Sequence, residues 1–318
     1  MPKAVQLNAY GGVNQLRIVD VPKPEPKAGE VVVRVVAAGT NPGEIGIREG
    51  HLHAMFPMDF PFGQGTDFAG RVDAIGAGVD AFAPGDEVIG WSERRSAQAA
   101  YVAVGAAQLI AKPPALDWFR AGSLFVVATT AVAAVRAVSL EPGDIVALSG
   151  AAGGVGSLAI QLARRAGARV IGIASDANAD FLRSVGVEPV AYGDGLADRL
   201  RAAAPKGLDA FIDLFGSGYL DLAVALGIAP ARINTIIDFA GAQKYHVKTD
   251  GSAAGASAAN LASVANLIAW GEIVMPLTAI YPLAALHEAY TELARRKTRG
   301  KIVLALDSAI VEPIRSPR

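Results

Sequence analysis

Cysteine is absent from the 318-residue chain. Its absence excludes disulfides, cysteine-ligated zinc and a thiol nucleophile together. An excess of one charge is also absent, because 29 Lys and Arg residues face 30 Asp and Glu residues and give a net charge of −1. Since the charges are interspersed and form no basic stripe that could neutralise phosphates, the composition argues against nucleic acid as a main partner.

Long apolar runs are missing as well. Residues 121–138 come closest to the roughly 18 apolar residues of a membrane-spanning helix, but Thr129, Thr130 and Arg136 interrupt them. Residues 1–5 contain no apolar signal core. We therefore expect a soluble, cytoplasmic protein with no membrane partner.

The first third of the chain is predicted to be mostly β-structure. Short apolar runs separated by Gly and Pro turns predict strands over 30–38, 68–75 and 87–91. Many short strands with this punctuation are typical of a barrel-like or sandwich-like module. With 318 residues, of which 52% are hydrophobic, we expect two domains.

The pattern changes near residue 117 to an alternation of helices and near-continuous apolar strands, which predicts a parallel sheet covered on both faces. The predicted helices cover 121–139, 157–166 and 180–185, and the predicted strands cover 145–149, 168–174, 209–214 and 232–237. A final helix (283–295) and strand (301–306) follow. We expect this last strand to return to the first domain.

The strongest motif is the glycine-rich run over 149–156, which follows a predicted strand and opens a predicted helix. Within it, Ala151-x-Gly153-x-x-Gly156 fits G-x-G-x-x-G with alanine in the first place. Glycines let the backbone approach a pyrophosphate, and the helix N-terminus offers free N–H groups to it. A tight turn without a ligand is the alternative, but the second strand about 20 residues on favours dinucleotide binding.

The end of that second strand bears on the choice of cofactor. An acidic residue there would bind the ribose 2′-hydroxyl of NAD, whereas this chain has Ala174 and Ser175. The small neutral pair leaves room for the 2′-phosphate of NADP, although Asp176 follows directly and the next basic residue is Arg183. We expect NADP (NADPH) and leave NAD open. Alternatively, Ser175 is a simple helix cap.

Three segments together carry a resemblance to a known family: Asn41-Pro42, Gly65-Thr66-Asp67-Phe68-Ala69-Gly70-Arg71-Val72, and the loop over 150–156. The sequence resembles the medium-chain dehydrogenase/reductases, in particular the zinc-independent quinone-oxidoreductase branch. The resemblance implies an α/β fold with a GroES-like, mostly β catalytic domain (1–120 and 278–318) and a Rossmann doubly wound parallel sheet domain (121–277). It also implies an active site in the cleft, and a homodimer through edge strands near 232–237.

The resemblance implies roles for individual residues. Asn41 and Thr130 would lie at the nicotinamide and are the catalytic candidates, although Asn41 also fits a simple turn residue and Thr130 a side chain that bonds its own backbone. Ser175 and Tyr192 would surround the adenosine 2′-phosphate. The remaining cofactor candidates are the pyrophosphate loop, Ala152, Gly153, Gly154 and Val155, and a loop flanking the nicotinamide, Phe239, Ala240 and Gly241.

Two departures from the family pattern bear on cofactor and metal. Relatives commonly carry a lysine or arginine where this chain has Asp176-Ala177-Asn178, and the zinc-dependent branch has Gly-His-Glu in place of Gly65-Thr66-Asp67. We expect no metal site. His51 and His53 are interpreted as part of a solvated or substrate-facing loop.

The predicted function is reduction of a quinone or other conjugated carbonyl compound by hydride transfer from NADPH. Two alternatives stay open: an enoyl or alkenal double-bond reductase on the same fold, and a nicotinamide-cofactor-binding protein without turnover. No proton donor is assigned.

Overall fold

The computed structural model describes residues 1–307, within which fifteen strands and eleven α-helices form. The strands are β1 (Lys3–Leu7), β2 (Arg17–Asp20), β3 (Glu30–Gly39), β4 (Phe62–Gly63), β5 (Asp67–Ile75), β6 (Glu87–Trp91), β7 (Tyr101–Gly105), β8 (Leu109–Ala111), β9 (Ile145–Leu148), β10 (Arg169–Ala174), β11 (Glu188–Ala191), β12 (Ala210–Asp213), β13 (Ile233–Thr235), β14 (Leu277–Pro282) and β15 (Lys301–Ala305). The helices are α1 (Pro42–Arg48), α2 (Trp118–Ala121), α3 (Phe125–Ala137), α4 (Gly154–Arg165), α5 (Ala179–Ser184), α6 (Leu196–Ala203), α7 (Tyr219–Ala225), α8 (Phe239–Tyr245), α9 (Ser252–Gly255), α10 (Ala258–Ala269) and α11 (Leu286–Ala294). None of the helices in this range is both long and apolar enough to cross a bilayer.

The chain divides into two compact units. The first contains Met1–Val126, Ser257–Glu272 and the stretch from Leu277 onward, and the second contains Val127–Ala256 and Ile273–Pro276. Helix α10 therefore groups with the first unit, although the sequence places it inside the predicted domain 121–277. The predicted bounds stay a prediction, and the end of the segment 278–318 lies outside the described residues.

The first unit is built on antiparallel sheets. One sheet has the order β2-β1-β4, and the larger has the order β14-β15-β3-β5-β6-β8 with β7 also pairing with β3. The ten residues of β3 are long enough to pair with three partners. Its end pairs with β15, where Val303 lies opposite Gly39, which confirms that the last predicted strand returns to the first domain. The parallel neighbour β14 was not predicted.

The second unit is a parallel sheet in the order β11-β10-β9-β12-β13. This confirms the predicted α/β class. Helix α3 begins at Phe125 rather than at 121, because Asp117 caps the separate short helix α2 and the chain then passes Gly122, where a Cβ would lie 2.4 Å from the Ala37 carbonyl oxygen. Helix α4 begins at Gly154, three residues earlier than predicted.

The outer edge of β13 is already paired within the chain. The Thr235 N–H donates to the Lys248 carbonyl (3.0 Å), and the Lys248 N–H donates to the Ile233 carbonyl (3.1 Å). The Asn234 side chain adds bonds to the backbone of Asp250. The strand edge that the sequence suggested for a dimer is therefore occupied by the segment around residue 248.

Each unit has its own apolar core. In the first unit, one cluster lies against α11 and β15 and includes Leu7, Leu16, Tyr290, Ile302 and Leu304. In the second unit, the strands β9, β10, β12 and β13 bury nearly every side chain, and the core includes Ala147, Ile171, Phe211, Leu220 and Ile233. Strands buried on both faces explain why the sequence shows apolar runs there instead of alternation.

Candidate functional site

Most of the predicted cofactor residues lie at one edge of the parallel sheet. Because β9 to β13 run in the same direction, the segments that follow their carboxyl ends meet at the same edge. The glycine-rich loop follows β9, Ser175 follows β10, and Tyr192 follows β11. Phe239–Gly241 begin four residues after the end of β13. The second unit thus brings its cofactor candidates together, with the exception of Thr130 on α3.

The loop after β9 has a shape that only glycine permits. Gly150 has φ +60, and a Cβ on Gly156 would lie 2.1 Å from the Gly150 carbonyl oxygen. Helix α4 therefore packs directly against the loop. The Ser149 N–H donates to the Ile212 carbonyl (3.0 Å), and the Ala151 N–H donates to the Ile173 carbonyl (3.1 Å). These bonds fix the loop to the strands on both sides.

The first turn of α4 directly follows this loop and is partly exposed. Its N-cap is Gly153, which has no side chain that could cap the N–H groups of Gly154 and Val155. Such a turn offers donors and the positive end of the helix dipole to an anion. Ala152 is buried. The residues present fit the diphosphate of a dinucleotide. Glycine at 156 lets the helix start close to the loop, whereas a side chain there would collide with the Gly150 carbonyl oxygen.

Ser175 and Tyr192 lie on neighbouring strand ends. The Ser175 hydroxyl accepts a hydrogen bond from Asn178 Nδ2 (2.9 Å). Ser175 is the N-cap of a short 3-10 turn, but its side chain makes no capping bond, which weighs against the simple-cap alternative. Tyr192 is 57% exposed, and its N–H donates to the Ala174 carbonyl (3.3 Å). Both hydroxyls are neutral groups, and Asp176 is exposed beside them.

Sequence reasoning missed Arg199, which shapes the same edge. Its guanidinium donates to the carbonyl oxygens of Ala191 (2.9 and 3.0 Å), Gly193 (3.1 Å) and Asp194 (2.7 Å). The side chain therefore ties down the loop that carries Tyr192. A lone arginine four residues into a helix gives little sequence signal, because its partners are backbone carbonyls.

Phe239–Gly241 differ from their predicted loop conformation. They form the first turn of α8, whose N-cap Asp238 accepts a hydrogen bond from the Gly241 N–H (2.8 Å). Aspartate is a preferred N-cap residue, and this signal was present in the sequence. Phe239 is 45% exposed. The predicted place of these residues at the nicotinamide stays a prediction.

Thr130 is 4% exposed within α3. Its neighbour Thr129 bonds the Ser252 hydroxyl (3.1 Å), and Gly255 packs so closely that a Cβ would lie 2.1 Å from the Thr129 carbonyl oxygen. This part of α3 is thus held firmly against α9. The catalytic role of Thr130 stays a prediction.

Asn41 lies in the first unit, where its side chain is part of a buried polar network. It is the N-cap of α1 and is 6% exposed. Its Nδ2 donates to Asp67 (2.9 Å) and to Glu44 (3.2 Å), and its Oδ1 accepts from Lys301 Nζ (2.6 Å). Both amide protons are therefore engaged, so any contact with a ligand would use the second lone pair of Oδ1.

Tyr290 is the second centre of this network. Its hydroxyl donates to Glu44 Oε2 (2.5 Å) and accepts from Gln64 Nε2 and Gln98 Nε2 (2.8 Å each). Burial raises the pKa of Glu44, with the nearby Asp67 carboxylate adding to the shift. Burial and the Glu44 charge raise the pKa of Tyr290. Burial lowers the pKa of Lys301 against the pull of Asp67 and Glu44.

The histidines stand apart from this network. His53 Nδ1 lies 2.6 Å from the Tyr10 hydroxyl, and the His51 side chain is 74% exposed. Over residues 1–307, no group of three or more His, Asp or Glu side chains is arranged to hold a metal ion. The two histidines therefore share a partly exposed loop without forming a metal centre among the described residues.

Family models match a segment of each unit. The family model for the alcohol dehydrogenase GroES-like domain matches residues 27–124, and the model for zinc-binding dehydrogenase matches residues 154–228. The chloroplastic quinone-oxidoreductase homolog of Spinacia oleracea is 32% identical over 197 residues, which span 59% of this chain and 60% of that relative. The chloroplast envelope quinone oxidoreductase homolog of Arabidopsis thaliana is 32% identical over 66% of this chain and 67% of its own length.

A solved structure extends the likeness to almost the whole chain. The quinone oxidoreductase from Coxiella burnetii superposes with a TM-score of 0.87 and 28% sequence identity. The superposition covers 96% of this chain and 99% of that one. The sequence match to the Spinacia relative spans less than two thirds of it, whereas the structural match is nearly complete.

Proposed function

Since the chain belongs to the medium-chain dehydrogenase/reductase superfamily, in its quinone oxidoreductase-like branch, we propose that it is a zinc-independent, NADPH-dependent oxidoreductase that reduces a quinone or another conjugated carbonyl compound. The observation that carries the proposal is the carboxyl edge of the parallel sheet, where the glycine-rich loop and a helix N-terminus without a side-chain cap lie between the ends of β10 and β12. Dinucleotides bind at such an edge.

The bound cofactor would supply the hydride chemistry. In this proposal, the N–H groups of Gly154 and Val155 bind the diphosphate, and Asn41 and Thr130 position the nicotinamide. When bound, the cofactor would supply a hydride to a quinone carbonyl system or to the β-carbon of an enone. The oxygen that gains negative charge is stabilised by hydrogen bonds or solvent and takes a proton from water, since a chain without cysteine has no cysteine-held zinc to serve this purpose.

The preference for NADPH rests on the neutral hydroxyls at the ends of β10 and β11. Ser175, Asn178 and Tyr192 offer hydrogen-bond donors to a 2′-phosphate, where NAD-specific sites place a carboxylate. Asp176, which directly follows Ser175, is exposed. A homodimer and a cytoplasmic location stay predictions, and a second copy would need a surface other than the outer edge of β13, which residue Lys248 occupies.

The first test is a titration with NADPH and with NADH, followed by nicotinamide fluorescence. We expect tighter binding of NADPH, and oxidation of NADPH in the presence of quinones or enones. A panel of both substrate classes separates quinone reduction from double-bond reduction. Binding without turnover on any member of the panel would instead support a cofactor-binding protein, and absence of binding to either cofactor would contradict the proposal.

A charge introduced at Ser175 tests the cofactor preference directly. The variant Ser175→Asp should weaken NADPH binding by about tenfold or more, because a carboxylate repels the 2′-phosphate and accepts from a ribose 2′-hydroxyl instead. Binding of NADH should be unchanged or improved. The control Ser184→Asp adds the same charge at an exposed position of α5 and should change neither affinity.

A further inference from the structure

Asp213 is a buried carboxylate at the carboxyl end of β12, with a relative exposure of 0%. Its Oδ1 accepts hydrogen bonds from the Ser149 hydroxyl (2.7 Å) and from the N–H groups of Phe215 (3.0 Å) and Gly216 (2.9 Å). Its Oδ2 accepts from the Thr235 hydroxyl (2.8 Å). Four neutral donors thus satisfy a carboxylate that is fully removed from water.

The two hydroxyls extend these bonds into neighbouring loops. Ser149 Oγ accepts from the Leu214 N–H (2.9 Å). Thr235 Oγ1 accepts from the N–H groups of Ile237 (3.3 Å) and Asp238 (3.1 Å). One carboxylate therefore connects the start of the glycine-rich loop, the turn after β12, and the segment that leads into α8.

The place of this cluster in the sheet is also specific. Strand β9 pairs with β10 on one side and with β12 on the other. The connection from β9 leads toward one edge of the sheet and the connection from β12 leads toward the other, so the strand order reverses between β9 and β12. Ligands of open parallel α/β sheets bind in the crevice outside this switch. The Ser149–Asp213 bond joins the two strand ends that border it.

The turn after β12 requires such an anchor. Gly216, Ser217 and Gly218 have φ values of +81, +61 and +84, and a left-handed conformation is unfavourable for serine. The turn is bonded to the start of the glycine-rich loop through the Leu214 N–H and Ser149 Oγ, and a Cβ on Gly150 would lie 3.6 Å from the Leu214 carbonyl oxygen. Loss of the Asp213 acceptor would release the N–H groups that begin the turn.

We propose that Asp213 is a positioning residue for the dinucleotide: it holds the loop after β9 and the turn after β12 in the shape that receives the diphosphate and the adjoining ribose. The proposal rests on the proposed function, because it requires the cofactor to bind at this edge. Asp213 itself is buried beneath the two loops and acts through them.

The test compares Asp213→Asn with Asp209→Asn. An asparagine at 213 keeps the size of the side chain but replaces one acceptor oxygen with an NH2 donor. This donor faces the Thr235 hydroxyl if it replaces Oδ2, and three donors if it replaces Oδ1. We expect NADPH to bind at least about tenfold more weakly. Asp209 precedes the same strand at its other end, where its Oδ2 accepts from the Ile145 N–H (2.7 Å), and its variant should bind NADPH within about twofold of the wild type.

A second pair of variants keeps the test decisive if Asp213→Asn does not fold. Thr235→Val preserves the shape of the side chain and removes the hydroxyl, whereas Thr235→Ser preserves the hydroxyl. We expect weaker NADPH binding by a factor of about three or more for valine and near wild-type binding for serine. General destabilisation would lower the melting temperature of both variants without separating their affinities.

Each outcome decides the inference. Weakening by Asp213→Asn or Thr235→Val, with Asp209→Asn and Thr235→Ser near wild type, supports it. Unchanged affinity in a folded Asp213→Asn, or equal losses in Asp213→Asn and Asp209→Asn, overturns the positioning role while the proposed function stands. A wild-type protein that binds neither NADPH nor NADH overturns the proposed function and this inference with it.

Discussion

The two units bury a carboxylate equally deeply and satisfy it in different ways. Asp67 and Asp213 are both 0% exposed. Asp67 has a cation among its partners, Lys301 Nζ at 3.6 Å, together with the Asn41 amide and the Val126 N–H. Asp213 has two hydroxyls and two backbone N–H groups. The first unit thus relies on charge, and the second relies on hydrogen-bond geometry.

The difference predicts which kind of substitution each unit tolerates least. A network that contains Glu44, Asp67 and Lys301 couples its stability to protonation and to the presence of each charge, because an unpaired buried charge is costly. A network of neutral donors around one carboxylate is sensitive to the positions of the loops that supply them. Variants of Lys301, Tyr290 and Glu44 test this contrast in the first unit, and the Asp213 and Thr235 variants test it in the second.

The largest effect is expected for Lys301→Met. Removal of the ammonium leaves Asp67 buried without its cation, and breaking a buried pair in this way costs about 3–5 kcal/mol. The free energy of unfolding, measured by urea denaturation, should fall accordingly. The control Lys3→Met removes an exposed pair with Asp20 and should change stability little. Equal losses in the two variants would refute the charge-dependent description of the first unit.

A smaller effect is expected for Tyr290→Phe. The substitution leaves the Gln64 and Gln98 amides without their shared acceptor and Glu44 without one donor. Unsatisfied buried polar groups of this kind cost about 1–3 kcal/mol. The control Tyr192→Phe removes a hydroxyl that is largely exposed. A Tyr290→Phe protein as stable as this control would show that the hydroxyl contributes nothing to the network.

The smallest effect is a pH dependence that Glu44→Gln should remove. The folded-state pKa of Glu44 is raised above its usual value of 4.5, so the folded state holds this proton more strongly than the unfolded state. The stability contributed by Glu44 is therefore fully present below pH 4.5 and is lost as pH rises through the folded pKa.

The measurement is the difference in unfolding free energy between wild type and Glu44→Gln from about pH 4 to pH 7. Each tenfold difference in proton affinity between the folded and unfolded states corresponds to about 1.4 kcal/mol. The unfolding free energy of the wild type should fall relative to that of Glu44→Gln as pH rises. A substitution at the exposed Glu25 serves as the control. A difference that stays constant or grows with pH would contradict the raised pKa.

The sequence predicted the fold well wherever local signals decide it. Apolar runs gave the parallel strands, and the glycine spacing gave the loop after β9, since both depend on neighbouring residues. The strand β11 was missed because Glu188 and Pro189 do not read as a buried strand. The helical start of α8 was missed although its capping residue Asp238 was visible.

The candidate site was less predictable, because its partners are distant in the chain. Ser149 and Asp213 are 64 residues apart, and no local pattern pairs them. Asp213 and Thr235 are polar residues at the last position of an apolar strand. This pattern is the sequence signal that could have identified them as part of the site. The bond from Lys301 to the Asn41 amide oxygen likewise depends on how β15 returns to β3, which the motif around Asn41 does not contain.

The return of β15 also sets an order of events during synthesis. Lys301 lies 260 residues after Asn41, and a ribosome adding about 5–20 residues per second makes the two on the order of 10–50 s apart. The second unit ends at Pro276, so all of its residues are synthesised before Lys301. The buried network around Asn41 and Asp67 therefore cannot be completed until Lys301 has been added, so the first unit is completed last although its synthesis begins first.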